Sequence, residues 1–159
     1  MRSSRQRDGE ADSGAERWRC ELGGAVSGAP TVAGDLLLIG QQGGDERFFA
    51  LERADGRPRW TQTLGWVWSS ATVAEGRAFI PCVDGHFACL DVASGHILWR
   101  RRSGAGAYPE PPVADGRVFF GSWDHFIYCL DPASGRQHWA WHTGGTPDSG
   151  APIASGGRL

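Results

Sequence analysis

The feature that most constrains this chain is that it repeats itself about every forty residues. Three segments end alike: ALERADGRPRW closes on Trp60, CLDVASGHILW on Trp99 and CLDPASGRQHW on Trp139. The closing tryptophans are 39 and 40 residues apart, and Trp18 stands 42 residues before Trp60, at the matching place of a preceding, incomplete unit. A second block recurs in step, as APTVAGDLLLIG from Ala29, ATVAEGRAFIP from Ala71, PPVADGRVFFG from Pro111 and a shorter PIASGGRL from Pro152. A unit of this length cannot bury its apolar surface alone. Stacked neighbours bury it together, so the period points to a repeat architecture.

Within a unit the residues read as short strands. In the third copy, residues 112–114 are extended, Asp115-Gly116 turns the chain, and residues 117–122 are rich in β-formers. Asp124-His125 forms the next turn. Its counterpart, Asp84-Gly85, suits a two-residue hairpin. Residues 126–131 and 136–143 complete the set, separated by a turn over 132–135. Four short strands at intervals of about ten residues, with glycine turns between them, predict sandwich or propeller units. No apolar period of 3.6 persists for ten residues, so no substantial helix is expected. Val118, Phe119 and Phe120, and all of Phe126, Ile127, Tyr128, Cys129 and Leu130, put apolar groups on both sides of a strand. A sheet with one wet face would alternate. Sheets stacked radially between two neighbours accommodate the pattern. The expected fold class is therefore all-β, a β-propeller of four-stranded antiparallel blades, here an incomplete set of about three and a half over residues 17–159. Residues 1–16 hold no aromatic or branched aliphatic side chain and are expected to be a disordered N-terminal segment.

Composition narrows the partners. Sixteen arginines oppose 18 acidic residues for a net charge of −2, which argues against a general nucleic-acid binder. No apolar run approaches the ~18 residues of a membrane span, and no hydrophobic stretch follows the first arginines as a secretory signal would need. Cys20, Cys82, Cys89 and Cys129 lack the CxxC spacing of a zinc or redox motif and are expected to be thiols.

The segments closing on Trp60, Trp99 and Trp139 resemble the tryptophan-docking motif A-x-D-x-x-T-G-K-x-x-W of pyrroloquinoline-quinone (PQQ)-like, or quinoprotein-like, propellers. The block P-x-V-A-D-G-R-V-F-F-G-S-x-D before the third copy is similar to the same repeats. The likeness covers about residues 18–159. It implies that each tryptophan packs between blades, against a small residue opening a motif (Ala50, Cys89, Cys129) and a turn glycine of a neighbour (Gly56, Gly95, Gly135). It further implies that Asp91 and Asp131, with Glu52 in the first copy, accept backbone N–H groups in the turn. Cysteine replaces alanine twice, and serine or aspartate replaces threonine. Pro81, which lacks a donor, is expected to interrupt its strand or lie near an unpaired edge. Trp123-Asp124 is reminiscent of Trp-Asp propellers. It falls in a hairpin, however, and its other copy reads Val83-Asp84.

Candidate chemistry is sparse. His86, His96, His125, His138 and His142 have no carboxylate or cysteine completing a metal set, although His138 and His142 share one face of a strand. Asp45-Glu46 reads as a solvated loop. Arg100-Arg101-Arg102 reads as a strand edge that discourages sheet pairing, or as a patch for an acidic partner. The segment from Gly65 to Ser70 departs most from the pattern. It carries Trp66 and Trp68 where the other units have Ala25-Val26-Ser27 and Ala107-Tyr108-Pro109. Trp66, Trp68 and Tyr108 form a candidate aromatic rim at a channel mouth for a ligand or peptide, with blade-to-blade packing as the alternative.

Two readings follow from the resemblance. In the first, the chain is a non-enzymatic scaffold without a cofactor, of the kind found in bacterial outer-membrane assembly lipoproteins. It would bind a protein partner, the remaining blades of a larger propeller, or a second copy. In the second, it is part of a quinoprotein dehydrogenase that uses PQQ and calcium. That enzyme is expected to carry an adjacent Cys-Cys pair and a calcium-binding Glu/Asn set, whereas this chain has no adjacent cysteines and no Asn. Cell compartment is not fixed by these residues; relatives are often periplasmic or attached to the outer membrane.

Overall fold

The computed structural model describes residues 14–107 and 110–145. The fourth copy at Pro152, Tyr108 and most of the N-terminal segment lie outside the described residues. Among the described residues there is no helix, and hence none long and apolar enough to cross a membrane. Among the described residues, twelve strands form three four-stranded antiparallel sheets, each in sequence order. Blade one comprises β1 (Thr31–Ala33), β2 (Leu36–Gly40), β3 (Arg47–Glu52) and β4 (Pro58–Thr63). Blade two comprises β5 (Thr72–Ala74), β6 (Arg77–Pro81), β7 (His86–Asp91) and β8 (Ile97–Arg102). Blade three comprises β9 (Val113–Ala114), β10 (Arg117–Ser122), β11 (Phe126–Leu130) and β12 (Gln137–His142). These are blades of an incomplete propeller.

Turn chemistry sets the strand registers. Glu75-Gly76 and Asp115-Gly116 have positive φ at both positions (49° and 72°, 49° and 67°), as a type I′ hairpin requires. The next turn differs from the two-residue hairpin expected from Asp84-Gly85. Cys82 donates to the His86 carbonyl at 2.8 Å and Gly85 to the Cys82 carbonyl at 3.3 Å, leaving a three-residue loop. Its last residue is left-handed: Gly85 at φ 88° in blade two and His125 at φ 71° in blade three. A turn followed by one left-handed residue is the usual three-residue hairpin, and histidine is among the residues that tolerate that conformation.

Pro81 also departs from expectation. It ends β6 without interrupting it, is fully buried, and pairs with Phe87. Cys82 N–H points to β7, so position 81 faces the other way, toward β5. The pairing with β5 stops at Phe79 opposite Thr72, so no ladder partner is lost at residue 81.

Two apolar cores occupy the two spaces between the three blades. Leu38, Phe48, Ala50, Val67, Ala78, Ile80, Ala88 and Leu90 meet between blades one and two. Phe79, Phe87, Cys89, Val118, Phe120 and Leu130 meet between blades two and three, where Phe87 stacks on Phe120 at 4.3 Å. Both faces of the middle blade are consequently buried, as the pattern of β7 shows from Phe87 to Leu90. In blade three the equivalent strand is apolar throughout, yet Phe126, Ile127 and Tyr128 are only half-buried. Its apolar residues face two sides, and a described blade covers only one.

Trp99→Ala is expected to cost about 3–5 kcal/mol in a denaturant titration, the range for large core side chains. Trp139→Ala should cost less than half as much, because Trp139 is already 38% exposed. Equal losses would place the two tryptophans in equivalent packing.

Candidate functional site

Each outer strand carries its tryptophan opposite a small residue of the third strand. Trp60 pairs with Ala50, Trp99 with Cys89 and Trp139 with Cys129. In all three blades the register slips directly after this pair, so the outer strand holds one extra residue (Arg59, Leu98 or His138). A bulge bends a strand and re-aims its side chains. Here it accompanies an indole that leaves its own sheet for the next one. Trp60 Nε1 donates to the Val92 carbonyl at 2.9 Å, and Trp99 Nε1 to the Pro132 carbonyl at 3.1 Å. Trp18 does the same to the Arg53 carbonyl at 3.0 Å.

Three residues after each accepting carbonyl stands a left-handed glycine, Gly56, Gly95 or Gly135, with φ between 68° and 74°. A Cβ at Gly135 would lie 2.7 Å from the Trp99 ring, and side chains at Gly56 and Gly95 would collide with Trp18 and Trp60. The glycine therefore meets two demands at once, a positive φ and a flat face for the ring.

Carboxylates hold the turn in two blades. Asp91 accepts the Ser94 N–H at 2.8 Å and its hydroxyl at 2.6 Å, and Asp131 does the same with Ser134 at 2.8 and 2.7 Å. These hydrogen bonds, the serine hydroxyl's first, hold both carboxyls below their ordinary range. Glu52 behaves differently. Its longer side chain pairs with Arg59, and Asp55 takes over the turn by accepting the Arg57 N–H at 3.0 Å.

A second repeated arrangement builds the connectors between blades. Gln42, Val83 and Trp123 donate their N–H groups to the carbonyls of Ala25, Trp66 and Gly106 at 2.8–2.9 Å. The following residues, Val67 and Ala107, donate back to the preceding blade at the Gln41 and Cys82 carbonyls, 3.0 and 3.3 Å away. Trp66 is thus equivalent to Ala25 and Gly106. Ala107, paired with Trp66 in the sequence reading, aligns instead with Val67, and both are buried. Trp66 is 45% exposed. Trp68 packs edge-on against Trp123 with centroids 6.3 Å apart, which joins the connector of blade two to a loop of blade three. Tyr108 lies outside the described residues.

The sequence reading missed two members of this region. Asp124 accepts the Gly104 N–H at 2.7 Å and the Tyr128 hydroxyl at 2.6 Å. Burial works against its charge, but these bonds outweigh it and the carboxyl sits below its ordinary range. Burial, followed by the bond to Asp124, pushes the Tyr128 hydroxyl up to about 12. In blade two the matching Asp84 pairs instead with His86 Nδ1 at 2.9 Å. The signal was present in the sequence: a glycine stands 19 or 20 residues before each of these aspartates, as Gly65 and Gly104.

The remaining candidates serve the frame. Arg100 donates to the Thr63 carbonyl at 2.7 Å, and Arg101 to the Gln137 side chain at 2.7 Å, so two of the three arginines tie neighbouring outer strands together. The four cysteines are free thiols, with Cys82, Cys89 and Cys129 buried. Burial pushes Cys82 and Cys89 up to about 12. Among the described residues, no three His, Cys, Asp or Glu side chains are placed to hold a metal ion.

Comparison with known proteins agrees with this architecture. The family model described as outer membrane protein assembly factor BamB, a PQQ-like repeat family, matches residues 7–109 and 83–159. The chain belongs to that family. The crystal structure of BamB from Moraxella catarrhalis superposes with a TM-score of 0.69 at 22% identity, over 79% of this chain and 39% of that one. A quinohemoprotein alcohol dehydrogenase, ADHIIG from Pseudomonas putida HK5, superposes with a TM-score of 0.63 at 18% identity, over 79% and 22% of the two chains. A lanthanide-dependent methanol dehydrogenase of Methylacidiphilum fumariolicum (strain SolV) is 32% identical over 92 residues, 54% of this chain and 15% of that protein. The chain therefore spans well under half the length of each of these relatives, which include both an assembly factor and dehydrogenases.

The thiols give a direct check on the packing. In native protein at pH 8, only the half-buried Cys20 should react rapidly with a thiol reagent, and all four should react after unfolding without reductant. Fast reaction of Cys82 or Cys89 would contradict their placement between blades; fewer than four thiols on unfolding would reveal a disulfide.

Proposed function

We propose that this chain is a non-enzymatic segment of a PQQ-like propeller that acts as a binding scaffold for a protein or ligand. Its remaining blades would complete the ring. The observation that carries this reading is Trp66. A large indole stands 45% exposed on a connector whose equivalent positions hold Ala25 and Gly106, while its backbone is fixed to the Val83 N–H at 2.9 Å. An aromatic group exposed on a rigid frame can contribute contact area at little cost in conformational entropy. The half-buried Trp68–Trp123 pair, reached two residues further along the same connector, adds a second indole surface. The assembly-factor description of the family supports a protein as the occupant.

The dehydrogenase reading is favoured by one observation, the 32% identity to a methanol dehydrogenase over 92 residues. The residues present do not fit a PQQ–metal centre. Cys82 and Cys89 are buried between blades, Cys129 is buried opposite Trp139, no two cysteines are adjacent in the sequence, and the carboxylates of Asp91, Asp131, Asp124 and Glu52 are engaged in turns, hydrogen bonds or an ion pair.

Protein incubated with PQQ and calcium and then desalted should retain no quinone absorbance and support no dye-linked alcohol oxidation; retention with turnover would select the dehydrogenase. Trp66→Ala should change stability by less than about 1 kcal/mol, as for a surface position. A loss above about 2 kcal/mol would make Trp66 a packing residue and remove the basis for the rim.

A further inference from the structure

The tetrapeptide Ala-Asp-Gly-Arg occurs twice, at residues 54–57 and 114–117, and a further Asp-Gly pair stands at Asp84-Gly85. Asp8-Gly9 lies outside the described residues. An aspartate before glycine is open to attack on its own side chain by the glycine nitrogen, which no Cβ shields. The chain has no Asn, so aspartate is the only source of such a product. Identical tetrapeptides share one intrinsic reactivity, and packing alone sets them apart.

Two of the three described pairs are held. Gly56 is buried, its N–H donates to the Glu52 carbonyl at 2.8 Å, and Asp55 accepts the Arg57 N–H at 3.0 Å. Any side chain at Gly56 would collide with the Trp18 ring. Gly85 is buried too. Its N–H reaches the Cys82 carbonyl at 3.3 Å, and Asp84 holds His86 Nδ1 at 2.9 Å. Asp115 and Gly116, by contrast, are both exposed, and a Cβ at Gly116 would meet nothing within 4 Å. The exposure belongs to the position. In blade two, which has a blade on either side, the equivalent Glu75-Gly76 turn is also exposed and equally open.

Blade three has also lost the bond that pins this turn. Arg53 N–H donates to the Asp35 carbonyl at 2.8 Å in blade one, and Val92 N–H to the Gly76 carbonyl at 2.9 Å in blade two. The matching residue in blade three is Pro132, which has no N–H to give. The Gly116 carbonyl takes the Arg117 guanidinium instead, at 3.3 Å. A cavity of about 180 Å³ beside the turn, lined in part by Arg77, Asp115, Gly116 and Pro132, leaves room for the peptide to rotate.

We propose that Asp115-Gly116 is a modification site at which the folded chain forms isoaspartate. The Gly116 nitrogen bonds to Asp115 Cγ, and the carboxyl OH departs as water with the nitrogen's proton, leaving a five-membered succinimide. Water then opens the ring. Breaking the N–Cγ bond restores aspartate; breaking the bond from nitrogen to the main-chain carbonyl carbon gives isoaspartate. The chain then runs through the side-chain carbon and is one atom longer between β9 and β10. Val113 and Ala114, which pair with Val118 and Arg117, lose their register. The proposal is independent of what the scaffold binds.

The test incubates the folded 159-residue chain in mildly acidic buffer at physiological temperature. Isoaspartate is counted by methyl transfer from S-adenosylmethionine with an isoaspartyl methyltransferase, and located by electron-transfer mass spectrometry. Asp115 should convert at least about tenfold faster than Asp55, since opening its turn breaks fewer hydrogen bonds. In denaturant the two rates should converge. Pro132→Ala restores the missing N–H, and should slow Asp115 about fivefold while leaving Asp55 unchanged. Circular dichroism checks that this variant is folded. Equal rates at Asp55 and Asp115 in folded protein, a difference that survives in denaturant, or no slowing in folded Pro132→Ala would overturn the proposal.

Discussion

An indole lying flat on a left-handed glycine, with its N–H on a carbonyl three residues earlier, is the contact on which the rest of this structure depends. A four-stranded sheet of short strands has two apolar faces and cannot hide either by itself. The tryptophan couples one sheet to the next at a fixed place. Its ring covers the turn glycine, and its single donor admits only one orientation. The bulge opposite Ala50, Cys89 and Cys129 directs the ring out of its own blade. The Asp91 and Asp131 turns hold the accepting carbonyls where the ring can reach them. Glycine, aspartate, small residue and tryptophan thus form one mechanical device rather than four separate motif positions.

The consequence is a graded stack. The middle blade has docked neighbours on both sides and is buried on both faces, with Phe79, Phe87, Cys89 and Leu90 all at 0% exposure. Blade one is covered on its outer side only near the Trp18 segment, and Val26, the equivalent of the buried Val67 and Ala107, is 42% exposed. Blade three leaves Trp139 and Trp141 in contact with solvent. Trp66 lies outside this device: its backbone serves the connector while its side chain stands 45% exposed.

Much of this was legible in the sequence, because the repeat displays the docking residues three times in register. The strands, the Asp115-Gly116 turn and the tryptophan positions could be read directly. Features decided by geometry between residues could not. Asp84-Gly85 looks like a two-residue hairpin, yet the ladder closes one residue earlier and makes the glycine the last of three loop residues. Pro81 looks disruptive only if β5 is assumed to run alongside it. Glu52 occupies an aspartate position, but its extra methylene carries the carboxylate to Arg59. The connectors hid their register because Trp66, Ala25 and Gly106 share no chemistry; only their carbonyls are equivalent. Side chains that differ in every unit leave no repeat to read.

The central claim is that the ring-on-glycine contact, and not merely the left-handed backbone, locks the blades together. Gly95 and Gly116 separate the two contributions. Both have positive φ, 72° and 67°, so an alanine at either meets the same backbone penalty of about 1 kcal/mol. A Cβ at Gly116 would meet nothing within 4 Å, whereas one at Gly95 would strike the Trp60 ring. Denaturant titration of Gly95→Ala and Gly116→Ala should show the first destabilised by about 1–3 kcal/mol more than the second, the added cost of overpacking. Equal losses would contradict the account, because the blades would then be joined without the tryptophan's contact on its glycine.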